Sequence, residues 1–210
     1  MSDQAAAALW PEAAAGTTGE RTETARRLLL AAVDSFARRG YHATTTRDIA
    51  TAAGMSPAAL YIHYPSKAAL LSEISRAGHQ ATLDLVLAAA ASPGGPTVRM
   101  RKLMESFTLW HARAHTVGRI VNHELHALPP EEFEVVAELR RQIEETVRAV
   151  IWQGVAAGVF DVPDIRTAAR AVTSLGIDVS RWYTDRSTET PEELGRRYAV
   201  LVLRMLGAKG

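Results

Sequence analysis

The 210-residue sequence contains no cysteine, which excludes disulfide bonds, thiolate metal sites and cysteine nucleophiles. A reducing compartment is consistent with this absence, and we expect a cytoplasmic protein. No apolar run reaches the ~20 residues that a membrane-spanning helix requires. The first 20 residues also lack the basic stretch and apolar core of a signal peptide. We therefore expect neither secretion nor a membrane partner.

Motifs of common catalytic chemistry are missing as well. The sequence has no glycine-rich phosphate loop, no Gly-x-Ser-x-Gly elbow and no paired-carboxylate motif, and we expect no cofactor. Two histidine pairs have a helical spacing that suits a divalent cation, His111 with His115 and His123 with His126. The second pair lacks the spacing of a metalloprotease motif. An all-α metal-binding enzyme is therefore the weaker alternative.

Excess charge of one sign is also lacking, since the formal net charge is +1. This excludes a generally basic surface for nucleic acid, but not a local basic patch. The segment from residue 20 to residue 67 contains seven basic and four acidic residues. Its modest positive excess favours a local contact with nucleic acid.

One stretch carries the clearest structural signals, TTRDIATAAGMSPAALYIHYPSK at residues 45–67. Thr45 and Asp48 have the spacing of a capping box, which predicts the start of a short helix. Gly54 suits a tight turn that ends this helix. Ser56, followed by a proline at the first helical position, predicts the start of a second helix. A short helix, a glycine turn and a second short helix form a helix-turn-helix unit.

Spacing alone leaves an alternative open, a helical hairpin whose tyrosines are part of an all-α core. The longer string GYHATTTRDIATAAGMSPAALYIHYPSKAALL closely resembles the DNA-binding signature of TetR-type transcriptional regulators, over roughly residues 21–75. The resemblance implies a homodimer that binds a double-stranded DNA operator. The matching positions are Gly40, Thr45, Asp48, Ile49, Ala50, Ala53, Gly54, Ser56, Leu60, Tyr61, His63, Lys67 and Leu70.

The same resemblance assigns DNA contacts residue by residue. We expect Thr45 to contact DNA. We expect one further group to lie nearest the bases, where small side chains leave specificity to thymine methyls and DNA shape. We expect a second group to lie on phosphates. The base-side group is Thr46, Ser56, Pro57, Ala58 and Ala59, and the phosphate group is Arg47, Tyr61, His63, Tyr64 and Lys67.

The remaining sequence is helical in pattern, with no β alternation bounded by turn residues. We expect an all-α fold of about nine helices, in three parts: a disordered arm at 1–20, the DNA-binding domain at 21–67, and a ligand-binding and dimerisation domain at 68–210. The string SPGGP at 92–96 marks the clearest break. The predicted helices beyond the helix-turn-helix are 22–39, 67–91, 97–114, 117–127, 129–157, 164–183 and 190–207.

The last two helices are the predicted dimer interface, because the family resemblance implies that they form a four-helix bundle with their mates. The alternative is that their apolar faces pack only within one chain. Small residues would permit close helix approach, and larger ones would supply apolar area. The small residues are Ala168, Ala169, Ala171 and Gly176, and the larger ones are Leu175, Val179, Leu201, Val202 and Met205.

The C-terminal domain is also the predicted effector site. Its Met and aromatic side chains would line an apolar pocket, formed by Met104, Phe107, Trp110 and Trp182. Arginines would hold an anionic head group, the candidates being Arg113, Arg140, Arg141 and Arg181. A bulky helical core with solvated arginines is the alternative.

A second resemblance concerns residues 128–206. Their pattern, with QGVAAGVFD, SRWY and PEEL, looks like the C-terminal domain of TetR-type regulators that sense acyl-CoA thioesters. It implies a repressor released from a palindromic operator by a small hydrophobic effector, an acyl-CoA thioester. The alternative is an efflux regulator that responds to neutral hydrophobic compounds.

Overall fold

The computed structural model describes residues 20–208. The predicted disordered arm, residues 1–20, lies outside this part of the chain except for its last residue, which begins the first helix. No helix of the described part is long and apolar enough to cross a membrane.

All regular structure between residues 20 and 208 is helical, which confirms the prediction of an all-α fold with about nine helices. A single turn of 3-10 helix, Leu125–Ala127, accompanies the α-helices. The α-helices are α1 Glu20–Arg39, α2 Thr46–Ala52, α3 Pro57–His63, α4 Lys67–Ala90, α5 Pro96–Arg113, α6 His115–His123, α7 Pro130–Ala156, α8 Ile165–Trp182 and α9 Pro191–Met205.

Helix starts follow the capping chemistry of the sequence. The Thr45 hydroxyl accepts from the backbone N–H of Asp48 at 3.2 Å, and the Asp48 carboxylate accepts from the backbone N–H of Thr45 at 3.0 Å. Thr190 and Glu193 form the same reciprocal pair at the start of α9. These caps satisfy backbone N–H groups that have no partner inside the helix.

The predicted helix over 117–127 has different bounds in the structure. Helix α6 begins at His115 and ends at His123, and the chain then tightens into the 3-10 turn. Leu128 is extended, with φ −73° and ψ 144°. Two prolines follow Leu128, and a residue before proline disfavours the α conformation. Helical conformation therefore does not continue through Leu128.

The described residues form two compact units. The first unit contains residues 20–78 and 116–136, and the second contains residues 79–115 and 137–208. Helices α4 and α7 each contribute residues to both units. A division into compact units does not test a division by function. The predicted boundary between the DNA-binding and ligand-binding domains, at residues 67 and 68, therefore stays a prediction.

The first unit is built around α1, α2 and α3, whose core side chains Leu28, Ile49 and Leu60 are fully buried. The Arg27 guanidinium donates to the Ala53 carbonyl at 2.8 Å. This contact fixes α1 to the end of α2, where the chain turns into α3. The orientation of α3 therefore depends on a packed apolar core and on a charged hydrogen bond.

The second unit is centred on α5, which packs against both α8 and α9. A Cβ atom added at Gly176 of α8 would lie 2.3 Å from the Phe107 ring of α5. A Cβ added at Gly195 of α9 would lie 2.8 Å from the Glu105 carbonyl oxygen. Both glycines therefore permit close helix approach within the chain. Gly176 was predicted to allow close approach between two subunits, but here it allows α8 to pack on α5 of the same chain.

The contact at Gly176 gives a stability prediction. Gly176→Ala should lower the free energy of unfolding by about 1–2 kcal/mol, because overpacking a buried ring outweighs the better helix propensity of alanine. Ser174→Ala, at an exposed position of the same helix, is the control and should be neutral or stabilising. Urea unfolding of both variants measures the difference, and equal midpoints would contradict the close packing.

Candidate functional site

The predicted helix-turn-helix is formed by α2 and α3. Gly54, at φ +68°, makes the turn between them in a conformation that L side chains rarely adopt. The Ser56 hydroxyl caps α3 by accepting from the backbone N–H of Ala59 at 3.2 Å, and Pro57 occupies the first helical position. Each local feature predicted for this unit is therefore present.

The residues predicted to lie nearest the bases are accessible to different degrees. Ser56, Pro57 and Ala58 are exposed at the start of α3. Thr45, a further predicted DNA contact, is exposed before α2. Thr46 and Ala59 are half-buried. The small exposed side chains leave the backbone at the start of α3 open to a groove.

Tyr61, a predicted phosphate contact, is hydrogen-bonded to a residue of the predicted base-side group. Its hydroxyl lies 3.0 Å from the Thr46 hydroxyl, so a predicted phosphate contact and a predicted base-side residue are hydrogen-bonded. Tyr61 remains 52% exposed. This bond links the start of α2 to α3 on an exposed surface.

Lys67 has a different environment from the one expected of a phosphate contact. Its ammonium donates to the carbonyls of Tyr41 at 2.7 Å, Thr44 at 2.8 Å and His42 at 3.3 Å. It also lies 4.3 Å from the centroid of the Tyr41 ring, within the range of a cation–π contact. Three donor hydrogens on three carbonyls use the full capacity of an ammonium group. The geometry therefore disfavours the predicted phosphate contact and favours a brace of the loop before α2.

Tyr64 is also turned toward the protein. It is half-buried, and its hydroxyl donates to the Ala25 carbonyl of α1 at 3.5 Å. Burial raises the pKa of Tyr64, and the nearby Glu73 raises it further. Because its hydroxyl points to α1, Tyr64 is poorly placed for a phosphate. Of the other predicted phosphate contacts, Arg47 is exposed and His63 is half-buried.

Asp48 places a negative charge next to this surface. A hydrogen bond from the Thr45 hydroxyl, another from the Thr45 backbone and the nearby Arg39 lower the pKa of Asp48 to about 2. The Arg39 guanidinium lies 3.0 Å from the carboxylate. Asp48 therefore stays ionised and paired, which limits its repulsion of a phosphate backbone.

The predicted effector pocket is only partly assembled in the second unit. Met104 and Phe107 are fully buried in its apolar core, and Trp110 is half-buried. Trp182 is 43% exposed, which disfavours its predicted place in the lining of a dry pocket. It lies at the last residue of α8, where a helix face meets solvent.

The four predicted arginines do not form one group. Arg113 pairs with Glu192, Arg141 with Glu138, and Arg181 with Asp178, and all three arginines are exposed. Arg140 differs, because it is half-buried and its Nη1 lies 3.4 Å from Nε2 of His79. Burial lowers the pKa of Arg140.

His79 and His111 are buried polar residues whose place in the site the sequence did not reveal. The His111 Nδ1 lies 2.8 Å from the Phe107 carbonyl, as expected for an N–H donor. Burial lowers the pKa of His111 to about 4, the Phe107 hydrogen bond opposes that shift, and His79 and Arg140 add to it. The sequence signal that could have indicated this site is the spacing of His111, which lies on the same helical face as Met104 and Phe107.

The structure gives no support to the metal-site alternative. His115 Nδ1 lies 2.9 Å from the Ala112 carbonyl of the preceding turn. Over residues 20–208, no group of three His, Cys, Asp or Glu side chains is arranged to hold a metal ion.

Two family models match the chain. Residues 28–74 match "Bacterial regulatory proteins, tetR family", and residues 93–206 match "Tetracyclin repressor-like, C-terminal domain". The first match includes the helix-turn-helix, and the second covers more than half of the chain.

Individual proteins agree with these models. The HTH-type transcriptional repressor KstR2 of Rhodococcus jostii is 30% identical over 191 residues, which cover 90% of this chain and 91% of that protein. The crystal structure of a tetR-family regulatory protein from Rhodococcus RHA1 has a TM-score of 0.85 and 39% identity, covering 92% of this chain and all of the other. The ketosteroid transcriptional regulator KstR2 of Mycobacterium tuberculosis has a TM-score of 0.81 and 26% identity, covering 92% and 97%.

Each of these proteins is named a regulator, and none is named an enzyme. Together with the capped helix-turn-helix and the all-α second unit, these matches show that the chain belongs to the TetR family of transcriptional regulators.

Proposed function

We propose that this protein is a homodimeric repressor that a small hydrophobic effector releases from a palindromic operator in the cytoplasm. The observation that carries the proposal is the exposed start of α3, held in place by the Gly54 turn and by the Ser56 cap. A two-fold dimer presents two such helices to two half-sites, so its operator is expected to be palindromic.

Arg47 and Tyr61 are the phosphate contacts that the structure supports best, because both side chains are exposed. Lys67 contributes indirectly, by bracing the loop that leads into α2. Base selection rests on the small residues at the start of α3 and on DNA shape.

Exposed apolar side chains support a dimer interface on α8 and α9. Leu201 is 57% exposed, and Trp182, Val200 and Met205 are also exposed. By contrast, Val179 and Val202 are fully buried within the chain, so those two residues belong to the monomer core. Exposed apolar side chains on two successive helices suit the isologous contact of a two-fold dimer.

The effector class we propose is an acyl-CoA thioester, with its apolar part in the core of the second unit and its phosphates near the exposed arginines. The resemblance of residues 128–206 to acyl-CoA-sensing regulators supports this choice. The name of the ketosteroid regulator KstR2 supports an extended apolar carbon skeleton. Release requires that the effector bind the DNA-free state more tightly than the DNA-bound state.

The contrast between Lys67 and Arg47 tests the contacts at the DNA surface. Lys67→Met should lower the free energy of unfolding by about 1–2 kcal/mol, because it removes charged hydrogen bonds. The salt dependence of operator binding should keep its slope. Arg47→Met should leave stability unchanged and flatten that slope by about one unit. A flattened slope in the Lys67 variant with unchanged stability would restore Lys67 to the phosphate contacts.

The dimer interface is tested at its exposed positions. Leu201→Glu combined with Met205→Glu should give a folded monomer at micromolar concentration that binds operator poorly, because charge is placed in an apolar contact. Val135→Glu, at an exposed position of α7, is the matched control and should remain dimeric. Sedimentation velocity measures the assembly. A wild-type protein that is monomeric and still operator-specific would contradict the proposal.

Operator release tests the effector class. Dodecanoyl-CoA should displace the protein from a labelled operator fragment, while CoA alone should not, because the apolar core must be occupied. Arg181→Ala should raise the required concentration of dodecanoyl-CoA without changing DNA affinity. Release by neutral hydrophobic compounds and by no acyl-CoA would favour the alternative regulator of efflux.

A further inference from the structure

Four polar side chains lie in the otherwise apolar interior of the second unit. They are His79 of α4, Thr108 and His111 of α5, and Arg140 of α7. Thr108 is 0%, His111 4% and His79 7% exposed, and Arg140 is half-buried. Polar groups are rare at such depth unless they have a structural or functional partner.

Contacts place Arg140, His79 and His111 together, and helix geometry puts Thr108 on the same face of α5 as His111. Arg140 Nη1 lies 3.4 Å from His79 Nε2. Thr108 and His111 are three residues apart on α5, which puts them on one face of that helix. His79 and Arg140 are also close enough to oppose a positive charge on His111. Helices α4, α5 and α7 thus each contribute a basic group to one place.

The Thr108 hydroxyl distinguishes a binding site from a purely structural network. A structural role explains His111, which donates to the Phe107 carbonyl at 2.8 Å. It does not explain Thr108, whose buried Oγ1 has no hydrogen-bond partner among the described residues. A buried hydroxyl without a partner is costly, and a ligand oxygen would satisfy it.

We propose that Arg140, His79, His111 and Thr108 form a carboxylate-binding site inside the second unit. Arg140 provides fixed positive charge and several N–H donors, and Thr108 provides a hydroxyl donor. A bound carboxylate favours the protonated, donating forms of the two imidazoles. The surrounding Met104 and Phe107 provide the apolar contact for the rest of the ligand.

This inference rests on the proposed function, since it assumes that the second unit binds an effector, and it narrows the chemistry of that effector. The part of the molecule that reaches the interior carries an oxygen acceptor, and a carboxylate suits the site best. A hydrophobic free acid provides this carboxylate directly, and an acyl-CoA provides an uncharged acceptor through its thioester carbonyl. Because His79 lies on α4, the site also involves the helix that begins at the Lys67 brace.

The test compares dodecanoate with methyl dodecanoate, which has the same chain and no negative charge. Calorimetry on the full-length wild-type protein should show dodecanoate binding at least about tenfold more tightly than the ester. Arg140→Met should remove that preference. Arg148→Met is the matched control, because Arg148 is an exposed, Glu145-paired arginine of the same helix; the preference should persist there.

Thr108→Val provides a second variant of nearly equal shape. It should weaken dodecanoate binding several-fold and leave ester binding unchanged, even where Arg140→Met proves unstable by circular dichroism. Equal affinity of wild type for acid and ester, no binding of either, or equal effects of the Arg140 and Arg148 variants would overturn the site. The regulatory proposal fails separately, if dodecanoate binds with the expected Arg140 dependence and no effector tested releases operator DNA.

Discussion

The close packing of α5 against α8 and α9 is the constraint on which the second unit depends. At Gly176 and Gly195 the neighbouring helices approach so closely that no side chain fits between them. Because α5 cannot shift or rotate freely in this packing, Thr108 and His111 have defined positions in the interior. A polar cluster built on a rigid helix can distinguish ligands by charge, which a loosely packed apolar core cannot do.

The first unit uses a different means of fixing its functional surface. Helix α3 is only seven residues long, and its stability as an isolated helix would be marginal. The Ser56 cap, the Gly54 turn and the Arg27 bond to Ala53 hold it in one orientation. The Lys67 ammonium braces the adjoining loop at the start of α4. Helix α4 therefore contains both Lys67, which braces the loop before α2, and His79, which belongs to the polar cluster of the second unit.

The features that could be predicted from sequence were those set by residues a few positions apart. Capping at Thr45, Ser56 and Thr190, the turn at Gly54 and the helical periods all belong to this class. The roles of Lys67 and Arg140 could not be predicted, because their partners lie more than twenty residues away in the chain. The exposure of Trp182 could not be predicted either, because aromatic character does not tell which side of a helix end meets solvent.

The capping residues of α2 and α3 also lie on the expected DNA surface, and this combination has an evolutionary consequence. Thr45 and Ser56 lie on the surface expected to face DNA, and their hydroxyls are also used to start α2 and α3. A substitution there changes recognition and loosens the fold together, so selection acts on both at once. Ala58 is exposed and has no capping task. New operator preferences should therefore arise in descendants of this protein through Ala58 more readily than through either cap.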